Sequence, residues 1–251
     1  LDGGVEAELR GRRPAVFADY DGTLTPIVPH PSQAVLSGEM RAVLASLAAR
    51  HPMAIISGRD RADVEQMVGL DNVYYAGSHG FDISGPDGFR RRFGDEFVHD
   101  LEEAGRFLDQ AVSTVEGAWV EHKRLALAVH FRQADPADED GLRKMVADAA
   151  ARAGNLRMSG GKKIFEIRPD FDWDKGRALL LLVGELGLDR PEVVPLYLGD
   201  DETDEDAFRV LEKRGIGVCV GVEDRITLAR YELSDPDQVC RFLERLAQEP
   251  S

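Results

Sequence analysis

Two aspartates one residue apart, Asp19 and Asp21, leave the end of the apolar run Ala15-Val16-Phe17-Ala18, which reads as a short buried strand. Gly22 permits the sharp turn that follows. Folding requires no pair of carboxylates there, because unpaired buried carboxylates are costly. A cation must neutralise them, and a hard divalent ion such as Mg2+ suits oxygen ligands. Ser57-Gly58-Arg59 follows a second buried strand, Met53-Ala54-Ile55-Ile56. The serine can cap a helix starting at Asp60, and hydroxyl and amide donors at a helix start also bind phosphate oxygens. A further strand ends at Leu198 and runs into Gly199-Asp200-Asp201-Glu202-Thr203-Asp204-Glu205-Asp206. A solvated acidic helix start accounts for Asp204 to Asp206. It accounts poorly for Asp200, because a strand-end carboxylate in an open α/β sheet points into the ligand crevice. With Asp19 and Asp21 nearby, Asp200 completes an expected magnesium site. Lys175 begins a long helix; an exposed position is the default for a lysine, but opposite three acidic loops it reads as a charge-balancing cation.

These groups need a frame that delivers them together. Strand-like and helix-like patterns alternate along most of the chain, at 14–19, 38–50, 53–56, 60–68, 73–76, 173–186, 193–198, 207–213 and 216–220. Continuous apolar strands joined by helices predict an α/β fold with a parallel sheet covered on both faces. The middle differs. Strand candidates at 118–122 and 125–132, a tight turn at Lys123-Arg124, a helix at 137–152 and strands at 155–159 and 163–168 predict a small antiparallel sheet with helices on one face. The expected organisation is therefore a core of residues 1–83 and 173–251 with a second, α+β domain, 84–172, inserted into it.

Composition restricts the partners. The 251 residues are 43% apolar, enough for an ordinary core, and 46 acidic against 31 basic side chains leave a net charge of −15. Such a surface repels nucleic acid and anionic membranes, and a phosphate would need a local cluster of cations and metal. Cys219 and Cys240 form no disulfide framework and fit a reducing cytosol as packing residues. No window has the length of a membrane span. The start, Leu1-Asp2-Gly3-Gly4, has neither Met nor the apolar core of a signal peptide, so the chain reads as a trimmed or partial segment. A cytoplasmic monomer is expected. The six histidines lack zinc spacing, and Gly215 to Gly221 lacks the spacing of a nucleotide loop.

Aspartate pair, serine, lysine and second aspartate group occur in the order of the four motifs of the haloacid dehalogenase superfamily, which the chain resembles. More narrowly, Asp-Tyr-Asp-Gly-Thr-Leu at 19–24, Ser-Gly-Arg at 57–59, Gly-Ser-His-Gly at 77–80, Glu-His-Lys at 121–123, Gly-Lys-Lys at 161–163, Glu166-Ile-Arg-Pro, Asp174-Lys-Gly and the run from Gly199 to Phe208 are similar to trehalose-6-phosphate phosphatases. The resemblance runs from about residue 14 to 221. It implies a Rossmann-like parallel-sheet core, an α+β cap domain over 84–172, magnesium dependence and a sugar-phosphate substrate. Asp19 is then the nucleophile and Asp21 the acid and base, protonated on substrate arrival through crowding by carboxylates and partial burial. Ser57, Gly58 and Lys175 bind phosphate. Magnesium is held by Asp19, the main-chain carbonyl of Asp21 and Asp200, supported by Asp201 or Asp204.

Sugar selectivity falls to other residues. Glu121, His122, Lys123, Arg132, Lys162 and Glu166 of the cap are the candidates, with Arg59 and His79 on the core side. Positions 162, 164 and 166 share one strand face. A solvated outer face of the cap sheet fits the same pattern, and the resemblance favours binding. Two other readings stay open: a related phosphatase for another sugar phosphate such as sucrose 6-phosphate, and a catalytically silent sugar-sensing module.

Overall fold

The continuous apolar strands form the middle of a sheet that is covered on both faces. A computed structural model describes residues 4–161, 163–221 and 226–248. Its strands are β1 (Arg13–Ala18), β2 (Met53–Ile56), β3 (Tyr74–Gly77), β4 (Asp82–Ser84), β5 (Arg90–Arg92), β6 (Trp119–Lys123), β7 (Ala126–His130), β8 (Leu156–Gly161), β9 (Ile164–Pro169), β10 (Val193–Gly199), β11 (Ile216–Val220) and β12 (Tyr231–Leu233). Its helices are α1 (Gly4–Leu9), α2 (Gly38–Ala48), α3 (Arg61–Val68), α4 (Val98–Val112), α5 (Glu139–Ala153), α6 (Lys175–Glu185), α7 (Glu205–Leu211) and α8 (Pro236–Gln248). Two compact units result, one of residues up to Arg91 together with Trp173 onward, the other Arg92–Asp172.

In the first unit the strand order is β12-β11-β10-β1-β2-β3-β4-β5, parallel from β12 through β3. Side chains alternate between faces. Val16, Ala18, Met53 and Ile55 join Leu44, Leu47, Val64 and Leu243 of α2, α3 and α8 in one core layer. Ala15, Phe17, Ala54 and Ile56 join Ala178, Leu182 and Phe208 of α6 and α7 in the other. Both layers are apolar, so these strands show no polar alternation in sequence. The register fixes where chemistry emerges: Ala18 lies opposite Leu198 on one side and Ile55 on the other. The residues just beyond, Asp19, Asp200 and Ser57, therefore leave the sheet at one edge.

The first crossing between units comes at Arg91–Arg92, not near residue 84. Strand β4 folds back antiparallel on β3, pairing Ser84 with Tyr75, and β5 extends the same sheet. In the second unit β6-β7-β9-β8 are antiparallel throughout. Helix α4 has no counterpart among the expected elements, although Leu101, Ala104, Leu108 and Val112 line its buried stripe. Among the described residues no helix is long and apolar enough to cross a membrane.

Candidate active site

The turn after β1 brings two distant loops into contact through glycine. Gly22 has φ 81°, and a Cβ there would meet Asp200 Oδ2 at 2.0 Å. Gly199 is equally constrained, because its Cβ would meet Asp204 Cγ at 2.3 Å. Without side chains at these points, the carboxylates approach closely.

Asp19 is 5% exposed and Asp204 fully buried. Lys175 Nζ, itself buried, lies 3.1 Å from Asp19 Oδ1 and donates to Asp204 Oδ1 at 2.7 Å. Tyr197 OH donates to that same oxygen at 2.6 Å. Asp204 Oδ2 accepts the backbone N–H groups of Asp200 (3.1 Å) and Asp201 (2.9 Å). Each oxygen of Asp204 thus takes two donors. This carboxylate pins the lysine, the strand and the loop to one another. Asp200 accepts from Thr23 Oγ1 at 3.2 Å. Asp19, Asp200 and Asp204 each offer an oxygen within 4.8 Å of the others.

The charges in this cluster do not balance. Burial raises the Asp19 carboxyl well above its ordinary range, although Lys175 opposes the shift. Burial, then repulsion from Asp204, pushes Asp200 up to about 7. Burial alone would lower the Lys175 ammonium, yet Asp19 and Asp204 outweigh it and hold the pKa above the usual lysine value. Burial and Asp204 keep the Tyr197 hydroxyl protonated as a donor. Three carboxylates share one ammonium, and the oxygens of Asp19 and Asp200 suit a hard divalent cation.

Asp21 stands apart from those three. Arg59 grips its carboxylate through two bonds of 2.6 Å, Nε to Oδ2 and Nη2 to Oδ1. The guanidinium also donates to the Pro31 carbonyl at 2.8 Å and lies 5.5 Å over the Tyr20 ring. The expected crowding of Asp21 by carboxylates is thus replaced by an arginine clamp, and Arg59 is occupied by Asp21. Asp201 is exposed and accepts from Glu202 N–H at 2.6 Å, capping the short turn Glu202–Asp204.

Ser57 is buried, and its hydroxyl oxygen accepts from Arg59 N–H at 3.1 Å, leaving its proton to donate. It does not cap the following helix: Asp60 holds the N-cap position and α3 starts at Arg61. The Ser57–Arg59 turn is braced from β3. Ser78 and His79 both have positive φ (49° and 57°), and their N–H groups donate to the carbonyls of Arg59 (2.7 Å) and Ser57 (2.8 Å). The His79 ring sits against Gly58, where a Cβ would meet it at 3.0 Å. Two consecutive left-handed residues without glycine mark a strained segment held by its surroundings.

In the second unit, the register places Glu121, Ala128, Glu166 and Ser159 side by side on one sheet face. Lys123 Nζ lies 3.5 Å from Glu166 Oε1, Arg168 Nε 3.2 Å from Glu166 Oε2, and His130 Nε2 2.8 Å from Glu121 Oε2. His122 does not join them. Alternation sends it to the helix-covered face, where its Nε2 lies 2.8 Å from Asp109 Oδ1 and its ring meets Gly105 of α4. Arg132 is exposed in the turn after β7. Lys162 lies outside the described residues. Tyr197, Thr23, His130 and Arg168 were not expected at either site; each is one polar residue in a run that reads as strand or turn.

Strand-end carboxylates, a serine and a helix-start lysine on one edge of a parallel sheet suit a phosphoric monoester hydrolase. A haloacid dehalogenase-like hydrolase from Bacteroides thetaiotaomicron has the same fold, with a TM-score of 0.67 at 16% identity over 94% of this chain and 98% of that one. Within that class, the chain belongs to the trehalose-phosphatase family, whose model matches residues 17–237. It is 42% identical over 258 residues to a trehalose 6-phosphate phosphatase of Zea mays, covering 96% of this chain and 72% of the relative. The C-terminal domain of a trehalose-6-phosphate phosphatase from C. albicans is similar in structure. The TM-score is 0.80 at 27% identity, over 98% of this chain and 97% of that one.

Proposed function

We propose that this chain hydrolyses trehalose 6-phosphate to trehalose and phosphate, depends on Mg2+, and works through an aspartyl-phosphate on Asp19. The observation that carries the reaction type is the buried Asp19–Lys175–Asp204 cluster beside Asp200, which has more carboxylates than cations. Family membership and the relatives' activity support the substrate.

An Asp19 oxygen attacks phosphorus as the bond from phosphorus to the sugar oxygen breaks, and Asp21 gives that oxygen its proton. Asp21 then takes a proton from water, whose oxygen attacks phosphorus and frees Asp19 and inorganic phosphate. Arg59 holds Asp21 in place for both transfers. Lys175 opposes the burial that favours a protonated Asp19 and, with Ser57 and the Gly58 turn, donates to the phosphoryl oxygens. Asp19, Asp200 and the Asp21 carbonyl would hold the metal, Asp201 would support it, and Asp204 would position the set. When bound, Mg2+ neutralises charge on the phosphoryl group. Glu121, Lys123 and Glu166 would meet the sugar hydroxyls.

Phosphate release from a panel of sugar phosphates, with and without Mg2+, tests the reading. Trehalose 6-phosphate is expected to be the best substrate, and Asp19→Asn to lower its turnover by about 10⁴-fold or more with the thermal melt retained. Release from sucrose 6-phosphate alone would transfer the assignment to a sister phosphatase. Release from no member would leave a silent module.

A further inference from the structure

The polar face of the second unit ends in an aromatic slab that charge recognition does not require. Trp119 is 40% exposed, although an indole carries one of the largest apolar areas a side chain can bury. It stacks flat on His130, with ring centroids 4.1 Å apart and an interplanar angle of 8°. His130 is its direct partner across β6 and β7, and is fixed in turn by Glu121 Oε2 at 2.8 Å. Two residues along the same strand face stands Glu121, and beyond it Lys123. Small residues, Ala128 and Ala126, occupy β7 alongside them. The face thus offers paired charges for hydroxyl groups next to a rigid, half-open aromatic surface.

Sugar rings present hydroxyls around their edge and C–H groups on their faces. A site for one therefore combines planar polar groups with a flat apolar wall. An aromatic ring already stacked on its inner side is preorganised for this, because its orientation is fixed before binding. We propose that Trp119, held by His130, is a stacking platform for a pyranose ring of the substrate, and that it sets sugar selectivity together with Glu121. This rests on the sugar-phosphate reading above and adds a recognition residue that the charged motif does not contain.

Two measurements separate this proposal from that reading. In a Trp173→Phe background, Trp119 is the remaining tryptophan, and its fluorescence reports trehalose binding directly. A saturable change with trehalose is expected, and none with inorganic phosphate. In steady-state assays, Trp119→Ala should raise KM for trehalose 6-phosphate roughly tenfold with kcat within about twofold, and Trp119→Phe should restore most of the loss. Turnover of acetyl phosphate, which carries neither sugar nor ring, should be unchanged in both variants. An unmoved Trp119 signal at saturating trehalose would overturn the proposal. So would an equal loss on both substrates, which would mark Trp119 as structural. Failure of the wild-type chain to release phosphate from trehalose 6-phosphate would instead defeat the underlying reading, while the fluorescence titration would still decide the platform.

Discussion

Around Asp19, three carboxylates share one ammonium in a buried cluster; around Glu166, two glutamates face a lysine, an arginine and a histidine. The first arrangement is short of positive charge, and burial magnifies the deficit by denying it water. The second is balanced pair by pair along a part-buried sheet face. A deficit calls for a cation and then an anion bound to it. A balanced face suits a neutral, hydroxyl-rich group, which swaps hydrogen bonds without leaving a charge stranded. Under the proposed function, the first region would serve phosphoryl chemistry and the second sugar recognition.

That contrast can be broken by removing the cation from each region. Lys175→Met strands Asp19 and Asp204 in the interior, and the unfolding free energy in urea should fall by about 3–5 kcal/mol. Lys123→Met takes one partner from a part-buried Glu166 that keeps Arg168, and should cost less, about 1–2 kcal/mol. Equal losses would show that burial does not separate the regions.

A smaller effect sharpens the chemistry on the core side. If Arg59 serves to aim Asp21, Arg59→Gln should slow kcat on a sugar phosphate by about 10²-fold, because an alkoxide leaving group needs a proton. An aryl phosphate with a good leaving group needs none, and should lose less than about tenfold under the same principle. Parallel losses on the two substrates would place Arg59 in phosphate binding instead.

Much of this was legible in the residues. Met53–Ile56 and Ile216–Val220 fall where their apolar runs predicted, because strands buried on both faces carry no competing pattern. Strand-end position also flagged Asp19, Ser57 and Asp200 without any knowledge of register. Legibility fails where one polar residue acts through a partner far along the chain. Tyr197 sits in an apolar strand, and nothing local announces that its hydroxyl meets Asp204. Nothing near Arg59 in the sequence announces that its guanidinium meets the Asp21 carboxylate, 38 residues earlier. His122 was readable and misread: two-residue alternation already separates it from Glu121 and Lys123. Strand β4, antiparallel to β3, and strand β5 are hidden by their short length and by Arg90-Arg91-Arg92, which carries no apolar signal.

The account stands on the unmet negative charge beside Asp19, and calorimetric titration with Mg2+ measures it directly. Folded Asp200 titrates at about 7 against an ordinary 3.8, so between those values the folded chain holds a proton that the unfolded chain releases. The stability this proton contributes is present at low pH and lost as pH rises through about 7, where the ion should replace it. Wild-type protein should bind one Mg2+ per chain, with affinity weakening as pH falls below about 7 because Asp200 must first lose its proton, and Asp200→Asn should abolish the binding. Saturable binding that survives Asp200→Asn with no dependence on pH, or no binding by the wild type, would contradict it.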